Sequence, residues 1–278
     1  MSEEIKLCKN IFKAHSKTYY YSTLLFPRQI RHNVYVLYAF VRLADEIVDN
    51  PSEDPRSALK QFRSEFENCW STGKSTNIVI LTFTKLAHKF DFEKQWVDAF
   101  LDSMEMDLWK KTYDTYPEVE TYIFGSAEVI GLMMSKLMGI KNEGLVYAQA
   151  LGKSMQLINF IRDIKEDSVR ERIYMPLEDL KKFGITEEEW WNGHFLDEKK
   201  ILSLLQFEIQ RTKDIQQTAN KGFDYLPFSC RIAVRLAAFT YYDTLLEIEK
   251  NPLVVFQRKI KSSRRRMMCN FLHLLLHA

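Results

Sequence analysis

Asp45 with Asp49 and Asp163 with Asp167 are two pairs of aspartates at a spacing of four positions in this 278-residue chain. Apolar residues around each pair recur at steps of three and four, which predicts amphipathic helices. A spacing of four places both carboxylates of a pair on one helical face, one turn apart, where they repel each other. A cation between or in front of them removes this repulsion. Such oxygen ligands suit Mg²⁺, which binds one or two carboxylates and completes its coordination with water and substrate phosphates.

Hydrogen-bonding side chains extend both acidic faces. Asn159 stands four residues before Asp163, whereas Tyr38 and Arg42 lie on the N-terminal continuation of the face that carries Asp45. One Asp-x-x-x-Asp pair is weak evidence in a chain that is 27% charged, because most such pairs lie on solvated helix faces. Two pairs, each beside Arg, Tyr or Asn and within mainly apolar helices, favour a functional site.

The composition predicts an all-α protein. Hydrophobic residues make up 46% of the chain, and only nine Gly and seven Pro interrupt it, which favours long helices over strands and turns. A formal charge of +2 gives no reason to expect a nucleic-acid partner. The four cysteines lack disulfide or metal spacing, the first residues do not resemble a signal peptide, and no apolar run reaches transmembrane length. We therefore expect one domain, residues 1–278, in the cytoplasm.

The hydrophobic pattern places the helices. We predict them at about 4–24, 29–50, 56–71, 75–90, 92–113, 117–138, 144–167, 197–221 and 227–250. Gly125 and Gly131 lie inside one of them, where glycine costs ~1 kcal/mol relative to Ala, so another helix or a ligand should approach closely there. The position of Asp107, on the surface or near the site, stays open.

Four segments, in order, resemble the squalene/phytoene synthase family of head-to-head prenyl diphosphate condensing enzymes. They are HSKTY at 15–19, the first aspartate segment at 38–49, YIFGSAEVIGLMM at 122–134 and QLINFIRDIKEDSVRERIYMP at 156–176. The last is the most specific, and the resemblance extends from about residue 10 to about residue 265. It implies an isoprenoid-synthase-type helical bundle around a central cavity, with a basic flap at 168–174 over the diphosphates. The chain departs from the family pattern at 126–128, where Ser-Ala-Glu replaces the more common Val-Ala-Gly.

The resemblance also implies roles for individual residues. The catalytic residues would be Tyr38, Arg42, Asp45, Asp49, Asp163, Asp167 and Tyr241. The substrate-binding residues would be His15, Ser16, Lys17, Thr18, Tyr122, Gln156, Asn159, Arg162, Arg172, Tyr174 and Arg258. Two or three Mg²⁺ ions bridging the diphosphates would be held by Asp45, Asp49, Asn159, Asp163 and Asp167.

The implied reaction joins two identical prenyl diphosphates through a cyclopropyl diphosphate. Phytoene from two geranylgeranyl diphosphates is favoured; farnesyl diphosphate giving dehydrosqualene or squalene is the alternative. Squalene would require NADPH, which we do not expect. Two other classes stay open: a head-to-tail prenyltransferase or terpene cyclase, although the usual Asp-Asp-x-x-Asp is absent, and an inactive relative acting as an assembly or binding protein, although such members usually lose motif aspartates.

Substrate length should depend on the cavity walls. We predict walls formed by Phe40, Ser126, Val129, Ile130, Met133 and Leu157. The small Ser126 should lengthen or widen the cavity and favour the C20 substrate. The C-terminal tail, about 258–278, is basic and then apolar, which is typical either of a solvated, frayed end or of a peripheral contact with a membrane surface.

Overall fold

Helices account for the regular structure of this chain. The computed structural model describes residues 1–49, 54–260 and 264–276, and these contain no β-strand. The helices are α1 Glu3–His15, α2 Lys17–Thr23, α3 Arg28–Asp49, α4 Pro55–Thr72, α5 Ile78–Lys89, α6 Lys94–Met106, α7 Tyr116–Ile123, α8 Val129–Met138, α9 Asn142–Arg162, α10 Ile164–Val169, α11 Leu177–Lys182, α12 Glu187–Asn192, α13 Glu198–Asn220, α14 Phe228–Lys250 and α15 Arg264–Leu276. A π-helical segment, Phe124–Glu128, joins α7 to α8, and 3₁₀ turns occupy Lys221–Tyr225 and Pro252–Phe256. The prediction of an all-α fold is confirmed.

Two predicted helices are interrupted where polar residues stand. The predicted helix 4–24 breaks at Ser16, whose φ of −141° and ψ of 105° are extended. The predicted helix 144–167 breaks at Asp163, whose φ of −101° and ψ of 11° separate α9 from α10. Ser and Asp side chains compete with the helical backbone for hydrogen bonds, so each can end a helix without changing the apolar pattern around it.

Two further predicted helices end or change register near the centre of the molecule. The predicted helix 92–113 ends at Met106, and Asp107 follows it with its carboxylate in buried hydrogen bonds. The predicted helix 117–138 contains the π-helical segment Phe124–Glu128. This segment inserts one extra residue into the turn, which shifts by one position the side chains that face a given direction afterwards.

The core consists of two apolar clusters. One contains buried side chains of α1, α3–α6 and α8, including Phe40, whose ring stacks on Phe83 with centroids 3.8 Å apart. The other contains buried side chains of α9 and α13 and of their neighbours, including Leu157. The first cluster therefore supports α3, which carries the first aspartate pair, and the second supports α9 and α10, which flank Asp163.

Small residues let α8 and α9 approach closely. A Cβ added to Gly131 would lie 2.4 Å from the carbonyl oxygen of Ala148, and one added to Gly152 would lie 2.5 Å from that of Ala127. Gly125 is equally confined, because its Cβ would lie 2.1 Å from a carbonyl oxygen of α6. The close approach predicted at Gly125 and Gly131 is confirmed.

Gly152→Ala is therefore expected to destabilise the protein by about 1–3 kcal/mol, because the added methyl group forces two backbones apart. Urea unfolding followed by circular dichroism measures this change. Lys85→Ala, on the exposed face of α5, is the control and should change the free energy of unfolding by less than about 0.5 kcal/mol. Equal midpoints for Gly152→Ala and wild type would contradict the close packing of α9 against the π-helical segment Phe124–Glu128.

Candidate active site

The two aspartate pairs meet at one end of the bundle. Asp49 ends α3, and Nη1 of Arg170, which follows α10, lies 2.9 Å from Asp49 Oδ1. Nη1 of Arg172 lies 3.7 Å from the same oxygen. The basic segment after the second motif therefore contacts the first motif directly, in the position expected for a flap at 168–174.

The carboxylates at this end have perturbed acidities. Burial, followed by repulsion from Asp49, raises the pKa of Asp45 to about 6. Burial, followed by repulsion from Asp163, raises the pKa of Asp167 to about 8. Nearby Arg170 opposes both shifts without cancelling them. Burial is the larger cause of both shifts, and the neighbouring aspartate adds to it, so a cation bound between the members of a pair would lower both pKa values.

Basic side chains form ion pairs with several carboxylates at this end of the bundle. Arg42 forms ion pairs with Asp45 and Glu46. Arg162 binds Asp163 through Nε, at 2.7 Å from Oδ1, and through Nη2, at 2.5 Å from Oδ2. Such two-point contacts fix a carboxylate in orientation as well as in position.

Lys259, the neighbour of the predicted diphosphate ligand Arg258, contacts the second aspartate motif. Its Nζ lies 3.1 Å from Asp163 Oδ1 and 2.6 Å from Glu166 Oε2. Arg258 is exposed, and no described side chain is bonded to its guanidinium. The role of Arg258 as a diphosphate ligand stays a prediction.

Asp107 is a buried carboxylate at the centre of the site and was not among the predicted site residues. It is 7% exposed, and its two oxygens accept hydrogen bonds from the hydroxyls of Tyr122 and Tyr174, each at 2.7 Å. Arg172 donates to the Asp107 carbonyl oxygen at 3.0 Å. Burial raises the pKa of Asp107, and its charge contributes to the raised pKa of Asp45 and Asp167. The three contacts span 67 residues of sequence, so no local spacing reveals them.

An apolar cavity of about 340 Å³ begins at the aspartate end and extends between α2, α3, α8, α9 and α14. Tyr38, Gln156 and Asn159 line its polar end. Asn159 Nδ2 donates to Gln156 Oε1 at 3.2 Å, whereas the buried Asn159 Oδ1 has no hydrogen-bond partner among the described residues. An unpaired buried oxygen is costly, which suggests that Asn159 has a partner when the site is loaded.

The cavity walls differ from the prediction. Ser126 and Ile130 line the cavity as expected. Four predicted wall residues are instead packed in the apolar clusters, so their assignment was wrong: Phe40, Val129, Met133 and Leu157. The one-residue shift of the π-helical segment explains part of this, because Ile130 and Met134 face the cavity in place of Val129 and Met133.

The predicted residues of the first helices lie close to the first aspartate motif. His15 Nδ1 is 3.6 Å from Glu46 Oε2. A hydrogen bond from Ser16 lowers the pKa of Tyr38, although burial raises it overall to about 12. The side chains of two other predicted diphosphate ligands are outside the described part of the structure, Lys17 and Thr18.

Tyr241 of α14 faces Tyr19 and Arg162. Its ring stacks on that of Tyr19 with centroids 5.1 Å apart, and the guanidinium carbon of Arg162 lies 5.9 Å from its centroid. Tyr19 itself lines the cavity. Aromatic faces at this distance stabilise positive charge, so this cluster can serve both a guanidinium and a cationic substrate.

The donor set is compatible with magnesium. Among the described residues, no three His, Cys, Asp or Glu side chains are close enough together to hold one ion by themselves. Mg²⁺ does not need such a cage, because it is usually bound by one or two carboxylates plus phosphates and water. The oxygen-only ligands, the unpaired Asn159 Oδ1 and the raised pKa of Asp167 all fit a cation that arrives with an anionic substrate.

This helical fold and its paired aspartates define a prenyltransferase of the isoprenoid-synthase type. The sequence model of squalene/phytoene synthase matches residues 12–266, and the chain belongs to that family. A phytoene synthase from Arthrospira platensis is 30% identical to it over 285 residues, which cover 96% of this chain and 91% of that relative. A 15-cis-phytoene synthase from Synechocystis sp. is 30% identical over 274 residues, covering 93% and 80%.

Solved structures show the same fold. A crystal structure of a dehydrosqualene synthase in complex with a ligand has a TM-score of 0.90 at 24% identity, covering 99% of this chain and 96% of that chain. A squalene synthase from Alicyclobacillus acidocaldarius has a TM-score of 0.83 at 20% identity, covering 92% and 95%. Members of the family bind prenyl diphosphates and use divalent metal for the diphosphate groups. None of the helices in the described ranges is long and apolar enough to cross a membrane.

Proposed function

We propose that this protein condenses two geranylgeranyl diphosphates head to head, through a cyclopropyl diphosphate, to phytoene. The observation that carries the proposal is the meeting of two aspartate pairs, each with one buried carboxyl of raised pKa, near the polar end of an apolar cavity. Carotenoid biosynthesis is the corresponding pathway, and the similarity to phytoene synthases supports it. Farnesyl diphosphate, giving dehydrosqualene or squalene, is the second candidate because dehydrosqualene and squalene synthases share the fold.

Two or three Mg²⁺ ions would be held by Asp45, Asp49, Asn159, Asp163 and Asp167. Bound there, they would neutralise the diphosphate as a leaving group. The basic side chains that now hold the aspartates would then become available to phosphate oxygens. These side chains are half-buried or exposed, so each can leave a carboxylate and bind a phosphate by side-chain movement alone. They are Arg42, Arg162, Arg170 and Lys259.

The apolar cavity would protect the reactive carbocation from water. Departure of diphosphate leaves an allylic cation, which water would quench if it entered. Apolar walls exclude water, the rings of Tyr19 and Tyr38 line the cavity, and Tyr241 stacks on Tyr19 behind it. No nucleophilic Ser, Cys or Lys is required, since the second substrate's double bond attacks the cation.

Product identification tests the proposal. The purified protein is incubated with C15 or C20 prenyl diphosphate, with Mg²⁺ or with a chelator, and with or without NADPH. We expect phytoene from the C20 substrate, dependence on Mg²⁺ and no effect of NADPH. Products of head-to-tail coupling or cyclisation would overturn the reaction class, and no product from either substrate would favour a non-catalytic binding protein.

Ser126→Phe should shift the substrate preference towards the C15 diphosphate, because the phenyl ring shortens a cavity that Ser126 lines. Apolar pockets distinguish chains that differ by one methylene by only ~1–3 kcal/mol. A side chain that blocks the end of the cavity is therefore needed to discriminate the C15 from the C20 diphosphate. The ratio of kcat/KM for the two substrates measures the shift. Ser126→Ala keeps the space and is the control. A wild type that converts farnesyl diphosphate far faster than geranylgeranyl diphosphate would contradict this role of Ser126.

A further inference from the structure

The end of the cavity opposite the aspartates approaches the protein surface. Gly144, Tyr147, Gly222 and Phe223 line this distal end, and all but the buried Gly144 are half-buried. Exposed or basic side chains surround it, and we call them the distal rim: Val146, Lys221, Tyr225, Phe228, Arg231 and Arg235.

The apolar members of the distal rim are unusually exposed for their type. Phe228, the first residue of α14, is 76% exposed, and Val146 is 56% exposed. Tyr225 is 43% exposed while its ring stacks on Tyr147, with centroids 5.3 Å apart. Each is within two residues of a residue that lines the cavity, and the stack of Tyr225 on Tyr147 connects the exposed apolar surface to the cavity wall.

The basic members of the distal rim contact the same wall. Arg231 Nη2 donates to the carbonyl oxygen of Leu226 at 3.4 Å, and the Arg235 guanidinium lies 5.9 Å from the centroid of Phe223. Neither arginine, nor Lys221, forms an ion pair with any carboxylate in the described ranges. The buried Nε atoms of both arginines also lack a hydrogen-bond partner there. The segments 141–147 and 221–235 thus carry four basic residues, Lys141, Lys221, Arg231 and Arg235, against two exposed acids, Glu143 and Asp224.

We propose that the distal rim docks on an anionic lipid surface and that the cavity opens there into the bilayer. Amphipathic aromatic side chains beside uncompensated Lys and Arg are the residues that hold a protein at an anionic membrane interface. The connection of the distal rim to a cavity that can hold a hydrocarbon favours lipid over a peptide or protein partner, for which such a connection would have no use. The link to product release rests on the proposed function, because a C30 or C40 hydrocarbon enters lipid rather than water.

Vesicle flotation tests the docking without substrate, so that its failure is separate from failure of the proposed reaction. The full chain is mixed with vesicles of phosphatidylcholine alone or of phosphatidylcholine with phosphatidylglycerol. We expect binding only to the second kind, weakened by salt. Phe228→Ser should weaken it about tenfold, through the loss of one buried aromatic side chain. Lys221→Gln should weaken it about fivefold, through the loss of one cation at the surface.

Controls assign the binding to this surface. Leu196→Ser removes a side chain that is 97% exposed between α12 and α13, and it should bind like wild type. Trp109→Ser with Val169→Ser removes exposed apolar residues near the diphosphate end. Binding lost in that double variant but kept in Phe228→Ser would overturn the proposal, as would equal binding to neutral vesicles or none to anionic ones. Sedimentation of the free protein as a dimer that Phe228→Ser dissociates would assign the rim to a second copy instead.

Discussion

Replacing Asp163 by Asn is expected to lower kcat by about 10²–10³-fold in a protein that remains folded. Asp163 is held between Arg162 and Lys259, with oxygens oriented by three contacts. Asn keeps the size and one oxygen but removes the negative charge that would attract Mg²⁺. Because charge rather than shape is lost, the change should affect turnover and the dependence on Mg²⁺ far more than folding.

Steady-state kinetics across a range of Mg²⁺ concentrations measure this effect, with circular dichroism as the test of folding. Glu166→Gln is the matched control. Glu166 also pairs with Lys259, but its side chain is 50% exposed and stands in the neighbouring row of the helix. We expect at most a few-fold loss for that variant. Near-native turnover of Asp163→Asn at saturating Mg²⁺ would show that Asp163 is not a metal ligand.

The amino-acid pattern was sufficient for the fold class and for the two acidic helices. Apolar periodicity depends on many residues at once, so single exceptions do not obscure a helix. Asp45 and Asp49 lie one turn apart in α3, which is one continuous helix as predicted. The second motif is divided, because Asp163 separates α9 from α10, yet Asp167 still lies in the same charged cluster.

Features that depend on one residue of register were not predictable. The π-helical segment Phe124–Glu128 moves the cavity wall from Val129 and Met133 to Ile130 and Met134, although the sequence pattern hardly changes. The position of Lys259 beside Asp163 is set by the irregular chain after the 3₁₀ turn Pro252–Phe256. Local propensity does not encode such differences, which arise from tertiary packing.

Asp107 illustrates the other limit, because its role comes from partners that are distant in sequence. Tyr122 and Tyr174 each donate a hydrogen bond to its carboxylate, and their two hydroxyl oxygens lie 3.5 Å apart. The ring of Phe160, from the second aspartate helix, stacks on that of Tyr174 with centroids 4.3 Å apart. Asp107 is thus a positioning residue that links α6 to the helix of the second motif.

Asp107→Asn is expected to lower kcat by about 10–100-fold, the range typical of residues that orient metal or substrate ligands. In Asn the NH2 group replaces one of the two carboxylate oxygens, so one of the two tyrosine hydroxyls can no longer donate there and has to reorient. Loss of the Asp107 charge also removes a source of the raised pKa of Asp45 and Asp167. A weaker negative field should raise the Mg²⁺ concentration needed for half-maximal activity, which a merely structural role would not do.

Tyr113→Phe provides the control for Asp107→Asn within the same cluster. The Tyr113 ring packs on Tyr122 and Tyr174, with centroids 5.7 and 5.8 Å away, but its buried hydroxyl has no hydrogen-bond partner among the described residues. Removing that hydroxyl should leave kcat and the Mg²⁺ dependence unchanged, whereas Tyr122→Phe and Tyr174→Phe should each reproduce part of the Asp107→Asn defect. If Asp107→Asn lowers thermal stability but keeps native kcat and Mg²⁺ dependence, Asp107 serves packing alone, and the orientation of Tyr122 and Tyr174 does not matter for turnover.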